Sequence, residues 1–148
     1  MARTLVQRFV GDVRLVVRRV TRPVTEEFDE HVLEAVAMAG VTRAVMVVLV
    51  GDGAEVHFDS EQRAKLCKAG LFSTPHALMA PPIRPEVVLS MRWLGAEIHP
   101  FQPDGFEDAC TFLEIDASRR PELHDVLVAA KRILDAAAPR SALTSAYR

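Results

Sequence analysis

The sequence predicts an α/β protein whose mixed, largely parallel sheet of about five strands carries helices packed on it. Three observations predict this class. Two β-rich runs at the N-terminus are joined by a tight turn, and an unbroken apolar run at residues 44–50 follows the first helical pattern. After that run, strand and helix patterns alternate, as expected for parallel strands with helical crossovers. The 148 residues suit a single domain, residues 1–148.

The pattern of the N-terminal segment predicts a β-hairpin. Residues 5–10 and 13–20 are the two strands, and Gly11 occupies the first central position of a two-residue type II′ turn. Arg14 and Arg18 alternate with apolar residues in the second strand. We interpret them as the solvated face of an edge hairpin, where charge discourages aggregation.

Helical patterns surround the predicted central strand. The first helix is expected to have Thr25 as its N-cap and Gly40 as its C-cap. Its apolar stripe is predicted to contain Phe28, Val32, Ala35, Val36 and Ala39. The strand at residues 44–50 lacks alternation, which is typical of a strand covered on both faces.

The second half repeats this alternation. A helix opens at Asp59 and Ser60, with Gln62 completing a capping pattern, and its inward residues are predicted to be Ala64, Leu66, Cys67 and Leu71. The further elements predicted are a strand at 76–80, a helix at 85–95, a strand at 97–101, a helix from 104 and a long helix over about 118–137. The last residues, 138–148, are expected to form a fraying tail.

Charge and hydropathy exclude several function classes. Residues 1–23 carry a net charge of +5 and residues 24–62 one of −8, but the whole chain is at −2. No global basic field therefore predicts a nucleic-acid partner. The longest apolar run has seven residues, too short to insert into a membrane. The N-terminus has no export-signal pattern, so we expect a cytoplasmic protein with reduced cysteines.

Catalytic and cofactor motifs are missing from the sequence. The turn Gly51-Asp52-Gly53 lacks the third glycine and the lysine that phosphate-binding loops use. No two histidines stand four apart on a helix, and no Cys-x-x-Cys is present, so no metal site is predicted. Cys67 and Cys110 fall on predicted apolar stripes, which is typical of core residues. We expect neither a cofactor nor an enzymatic activity.

The layout resembles the STAS domain, a family of bacterial anti-sigma-factor antagonists and transporter cytoplasmic domains. The resemblance covers about residues 3–115 and makes the helix at 118–137 an addition to the family's core. The matching pieces are the hairpin at 5–20, the helix start Pro-Val-Thr-Glu-Glu-Phe at 23–28, the buried strand at 44–50, Phe58-Asp59-Ser60 opening the second helix, and Arg-Trp-Leu-Gly at 92–95.

This resemblance implies a non-enzymatic regulatory or scaffolding module in bacterial signalling. In the family's antagonists, the loop before the second helix carries aspartate, two hydroxyl residues and glycine, and a partner kinase phosphorylates the second hydroxyl. Here Glu61 stands at the phosphoacceptor position and the glycine is absent. The resemblance implies a protein partner, a kinase or a sigma-regulatory protein, that docks on Phe58, Asp59, Ser60, Glu61 and Gln62.

Two alternatives stay open. The first is a small-molecule-binding protein or enzyme with a pocket near the carboxyl ends of the strands, using His57, Asp59 and His76 as polar groups. The second is homodimerisation through the basic hairpin edge or the C-terminal helix.

Overall fold

A computed structural model describes residues 3–19, 23–51, 60–71, 73–81 and 97–136. These residues form the predicted α/β fold, with five strands and four α-helices. In chain order the elements are β1 Leu5–Val10, β2 Val13–Arg19, α1 Thr25–Ala37, β3 Ala44–Val50, α2 Ser60–Lys68, β4 His76–Met79, β5 Ile98–Phe101, α3 Phe106–Phe112, a 3₁₀ turn at Ala117–Arg119, and α4 Arg120–Ala136. The helix predicted at residues 85–95 lies outside the described residues.

The strands follow one another across the sheet in the order β1-β2-β3-β4-β5. The β1–β2 pair is antiparallel and every other pair is parallel, which confirms the predicted mixed sheet and its N-terminal hairpin. Gly11 has a φ of +58°, as the first position of a type II′ turn requires. From β2 to β4, each new parallel strand is added at the same edge of the sheet. Right-handed crossover connections therefore place α1 and α2 on one and the same face of the sheet.

The main core lies on the other face of the sheet. Val13, Leu15 and Val17 of β2 point into it, together with alternate residues of β1, β3 and β4. The helix α4 closes this core with Leu123, Leu127, Ala130 and Leu134. The C-terminal helix is therefore an integral layer of the protein, because without it this apolar face would meet water.

A smaller apolar cluster lies under α1 and α2. It contains Phe28, Ala35, Leu66 and Leu71. Several predicted inward residues were wrong: Val36 is 48% exposed, and Ala64, Cys67 and Ala39 are also exposed. In their place His31 and Gln62 are buried, because the inward stripe of each helix is rotated towards these polar positions.

The predicted caps of α1 were also wrong. Thr25 is the first helical residue, so Val24 is the N-cap and no side chain caps the helix. The C-cap is Met38, whose N–H donates to the carbonyl of Glu34, and the chain then turns through Gly40. Since Glu26 and Glu27 still stand in the first turn, their charge supplies the favourable interaction with the helix dipole.

Candidate functional site

The first turn of α2 is where the sequence predicts a docking surface. Ser60 and Glu61 face solvent, and the Glu61 side chain is 80% exposed. Gln62 is buried, and its Nε2 donates a hydrogen bond of 3.2 Å to the carbonyl of Pro23. Of the predicted docking residues, the structure thus presents Ser60 and Glu61 outward and uses Gln62 as an internal anchor. Phe58 and Asp59 lie outside the described residues.

An ion pair also joins the last turn of α2 to α1. Lys65 Nζ lies 2.8 Å from Oδ1 of Asp29 and 3.8 Å from Oε1 of Glu61, one turn earlier on the same helix. These side chains are partly exposed, so the pairs contribute well under about 1 kcal/mol each. Their effect is to orient the charges at the start of α2 relative to α1.

A buried polar cluster lies beneath α1, where sequence analysis predicted a solvated surface. Arg14 is only 5% exposed and Arg18 only 1%, and Gln7 and His31 are equally buried. The prediction for both arginines was wrong because α1 covers this face of the hairpin. The crossover from β2 to β3 must place a helix over one face of the sheet. This rule, together with the position of His31 on the inward stripe of α1, could have predicted the burial of the arginines.

Hydrogen bonds link the cluster into a chain. Arg14 Nη1 donates to Oε1 of Gln7 at 3.1 Å and lies 3.4 Å from Nε2 of His31. The amide of Gln7 in turn donates to the carbonyl of His31 at 3.1 Å and to Oε2 of Glu34 at 3.3 Å. The carboxylate of Glu34 is therefore linked to Arg14 through Gln7.

Burial sets the protonation states in the cluster. Burial lowers the pKa of Arg14 and of Arg18 to about 10, so both stay charged at neutral pH. Burial, reinforced by the charges of Arg14 and Arg18, lowers the pKa of His31 to about 3. A guanidinium only donates, so Nε2 of neutral His31 accepts and the proton resides on Nδ1. That Nδ1 is buried and has no hydrogen-bond partner in the described part of the chain.

His76 lies on the same face as Arg14. It is the first residue of β4, and Val45 of β3 stands between it and Arg14 in the sheet. Its Nδ1 is 2.7 Å from the carbonyl of Thr74, and burial lowers the pKa of His76 to about 4. His76 is thus at the amino end of its strand. Its grouping with His57 and Asp59 stays a prediction, since those two residues lie outside the described part of the chain.

A surface cleft opens beside Arg14 at this amino edge of the sheet. Its empty volume is about 280 Å³. Ala35, Val45 and Leu71 contribute apolar wall, and Ser73 and Thr74 contribute polar groups from the segment between α2 and β4. The cleft therefore combines one buried cation with small apolar and hydroxyl-bearing side chains.

Nucleophilic and metal chemistry have few candidates in the described residues. Cys110 is buried, and burial raises the pKa of its thiol to about 11, which disfavours the reactive thiolate. Within residues 3–19, 23–51, 60–71, 73–81 and 97–136, no three His, Cys, Asp or Glu side chains cluster as metal ligands would. Over the same residues, no helix has the length and hydropathy needed to cross a bilayer.

The fold and the site together define a class, an α/β protein with a five-stranded mixed sheet and a buried basic cluster under its first helix. Comparisons with protein-family models, with curated proteins and with solved structures find no match to this chain.

Proposed function

We propose that this protein is a non-enzymatic, STAS-like regulatory or scaffolding module that binds a protein partner through the start of α2. The observation that carries the proposal is the anchored first turn. Gln62 holds it to the carbonyl of Pro23, while Ser60 and Glu61 face outward. A surface already held in place loses little conformational entropy on binding, which favours affinity.

The surface shared by α1 and α2 has the mixed character of a protein interface. Leu33 is 72% exposed on α1, and it follows Asp29, the partner of Lys65, by one helical turn. Residues four apart lie on the same side of a helix, so this exposed leucine lies on the same side of α1 as the ion pair with Lys65. Apolar anchors bordered by charge are typical of recognition surfaces.

The partner class follows from the resemblance and the charge. A kinase or a sigma-regulatory protein of the cytoplasm is the partner that the STAS resemblance implies. A partner that docks here must present a basic or hydrogen-bond-donating group to Glu61. A fixed glutamate at the family's phosphoacceptor position supports constitutive docking over a phosphorylation switch, because its charge cannot be removed.

Charge reversal at the first turn tests the proposal. The partner is captured from the native cytoplasm with tagged protein and identified by mass spectrometry, which also reports phosphate on Ser60. We expect Glu61→Lys to weaken that partner's affinity at least about tenfold, since one favourable charge contact becomes repulsive. The matched control is Asp125→Lys, an exposed acid on α4 across the sheet. Equal affinities for the two variants would show that the docking site lies elsewhere.

A second candidate function is binding of a small molecule, favoured by the cleft beside Arg14. Leu71, just beyond the last turn of α2, lines this cleft, whereas Ser60 begins the helix. The two functions use opposite ends of α2 and can be tested separately. A ligand for the cleft should raise the melting temperature of the isolated protein, whereas protein docking requires the partner.

A further inference from the structure

The guanidinium of Arg14 has hydrogen-bond donors that no described residue uses. With the described residues, only its Nη1 makes hydrogen bonds, to Gln7 and His31, both uncharged acceptors. Its Nε and Nη2 donate to no group among the described residues. These two N–H groups form the edge of the guanidinium that matches the two oxygens of a carboxylate.

The charge of Arg14 is also without a direct counter-ion in the described part of the chain. No carboxylate among the residues that the structure describes contacts it, and Glu34 is connected to it through Gln7. The neighbouring His31 and His76 are neutral at physiological pH because burial holds both pKa values well below 6.5. A cation taken out of water without a partner is costly, so an anion that pairs with Arg14 would recover stability.

The cleft beside Arg14 is small. Its empty volume of about 280 Å³ includes open solvent at its mouth, so the cleft has no room for a macromolecular segment. Its apolar wall of Ala35, Val45 and Leu71 would cover the hydrocarbon part of a ligand. One cation and a mainly apolar wall suit a singly charged carboxylate better than a phosphate dianion, which needs more donors.

We infer that this cleft is a binding site for a small organic carboxylate. The carboxylate accepts a bidentate pair of hydrogen bonds from Nε and Nη2 of Arg14, and the apolar part of the ligand packs against Val45 and Leu71. This site is independent of the docking surface at Ser60 and Glu61. Its charge, shape and free donors all come from residues at the amino edge of the sheet.

Thermal unfolding of the full chain tests the inference. The probes are hexanoate and benzoate, each compared with an equal concentration of chloride, and inorganic phosphate forms a separate arm. With at least one carboxylate we expect a rise in melting temperature that grows with the logarithm of its concentration above Kd and reaches about 5–10 °C at a hundredfold excess over Kd. We expect Arg14→Met to abolish that rise, and Arg132→Met, an exposed arginine on α4, to keep it.

A second variant keeps the test decisive if Arg14→Met does not fold. Ala39 is exposed and lines the cleft, so Ala39→Phe fills the mouth without touching the buried cluster. We expect it to abolish the carboxylate effect while the protein stays folded. The inference is overturned by the absence of any carboxylate effect, by an effect of phosphate alone, or by a carboxylate effect that persists in Ala39→Phe.

Discussion

Arg14 of β2 and His31 of α1 meet beneath the first helix, with Nη1 of the arginine 3.4 Å from Nε2 of the histidine. A buried guanidinium beside a buried imidazole is tolerable only while the imidazole is neutral, because protonation would place two cations in contact. The pairing therefore ties the packing of α1 on the sheet to the protonation state of His31.

The first prediction is a loss of stability in mild acid. His31 and His76 have pKa values of about 3 and 4 in the folded protein, against 6.5 for an ordinary histidine. Between these values the unfolded chain binds more protons, so the free energy of unfolding falls as pH falls. From pH 7 to pH 5 we expect a loss of roughly 2 kcal/mol for each histidine, measured by urea unfolding.

The variant His31→Gln shows how much of this pH dependence comes from His31. His31→Gln keeps an oxygen acceptor for Arg14 and removes the titration, so about half of the loss should disappear. His124→Gln, on an exposed position of α4, is the matched control and should leave the loss unchanged. An identical pH profile in His31→Gln and the parent protein would contradict the burial of a neutral His31.

The second prediction concerns Gly11 in the hairpin turn. Its φ is +58°, and an added Cβ would collide with Nη2 of Arg119. We expect Gly11→Ala to cost about 2 kcal/mol or more, because the left-handed conformation costs about 1–2 kcal/mol and Arg119 is also displaced. Gly70 has a φ of +69°, and no described atom lies within 4 Å of an added Cβ, so Gly70→Ala should cost only the strain.

Gly40 is the control for that comparison. Its φ is not positive, and within the described ranges no atom lies within 4 Å of an added Cβ. Gly40→Ala should therefore be neutral or stabilise by up to about 1 kcal/mol, through the unfolded chain. Calorimetric melting of the three variants should rank Gly11→Ala as least stable and Gly40→Ala as most stable.

The third prediction is a small, salt-sensitive coupling at Asp12. Its carboxylate accepts hydrogen bonds from Nε of Arg43 and Nη1 of Arg119, each at 3.0 Å. Partial burial raises the pKa of Asp12, but the bonds from Arg119 and Arg43 outweigh it and lower the value overall. A double-mutant cycle of Asp12→Ala and Arg119→Ala should give a coupling of roughly 0.5–1 kcal/mol.

Salt and a second ion pair provide the controls. The coupling should shrink in 1 M salt, where the screening length falls to about 3 Å. Nη1 of Arg120 lies 2.9 Å from Oε2 of Glu107, but the Glu107 side chain is mostly exposed. The coupling energy between Arg120 and Glu107 should therefore be smaller than that between Asp12 and Arg119. A larger coupling for Arg120 and Glu107 would argue against the role of Asp12 in joining the hairpin to the turn before α4.

The fourth prediction tests whether α4 belongs to the core. Leu127 is 2% exposed within the main apolar cluster. Leu127→Ala should lower the free energy of unfolding by about 2–5 kcal/mol, because it removes buried methyl groups and leaves a cavity. The half-buried Val128 is its neighbour, and Val128→Ala should cost less than about 1 kcal/mol. A negligible effect of Leu127→Ala would mean that α4 is dispensable.

The strands were predictable because their signals are local. The apolar run at β3 and the turn at Gly11 each specify a conformation with residues adjacent in sequence, and both are found where expected. Helix ends and inward stripes were harder, as Thr25 and Cys67 illustrate. A stripe read from apolar residues alone misplaces the buried side when the surface beneath the helix is polar.

The sequence by itself determined the class of fold, the hairpin and the order of the described strands and helices, because hydrophobic periodicity and turn chemistry are properties of short segments. Only the tertiary structure decided that Arg14 and Arg18 are buried, that His31 meets Arg14, and that Gln62 anchors α2. These outcomes depend on which face of the sheet a helix covers. That is settled by contacts between residues far apart in the chain, since the energy of burying a charge depends on everything packed around it.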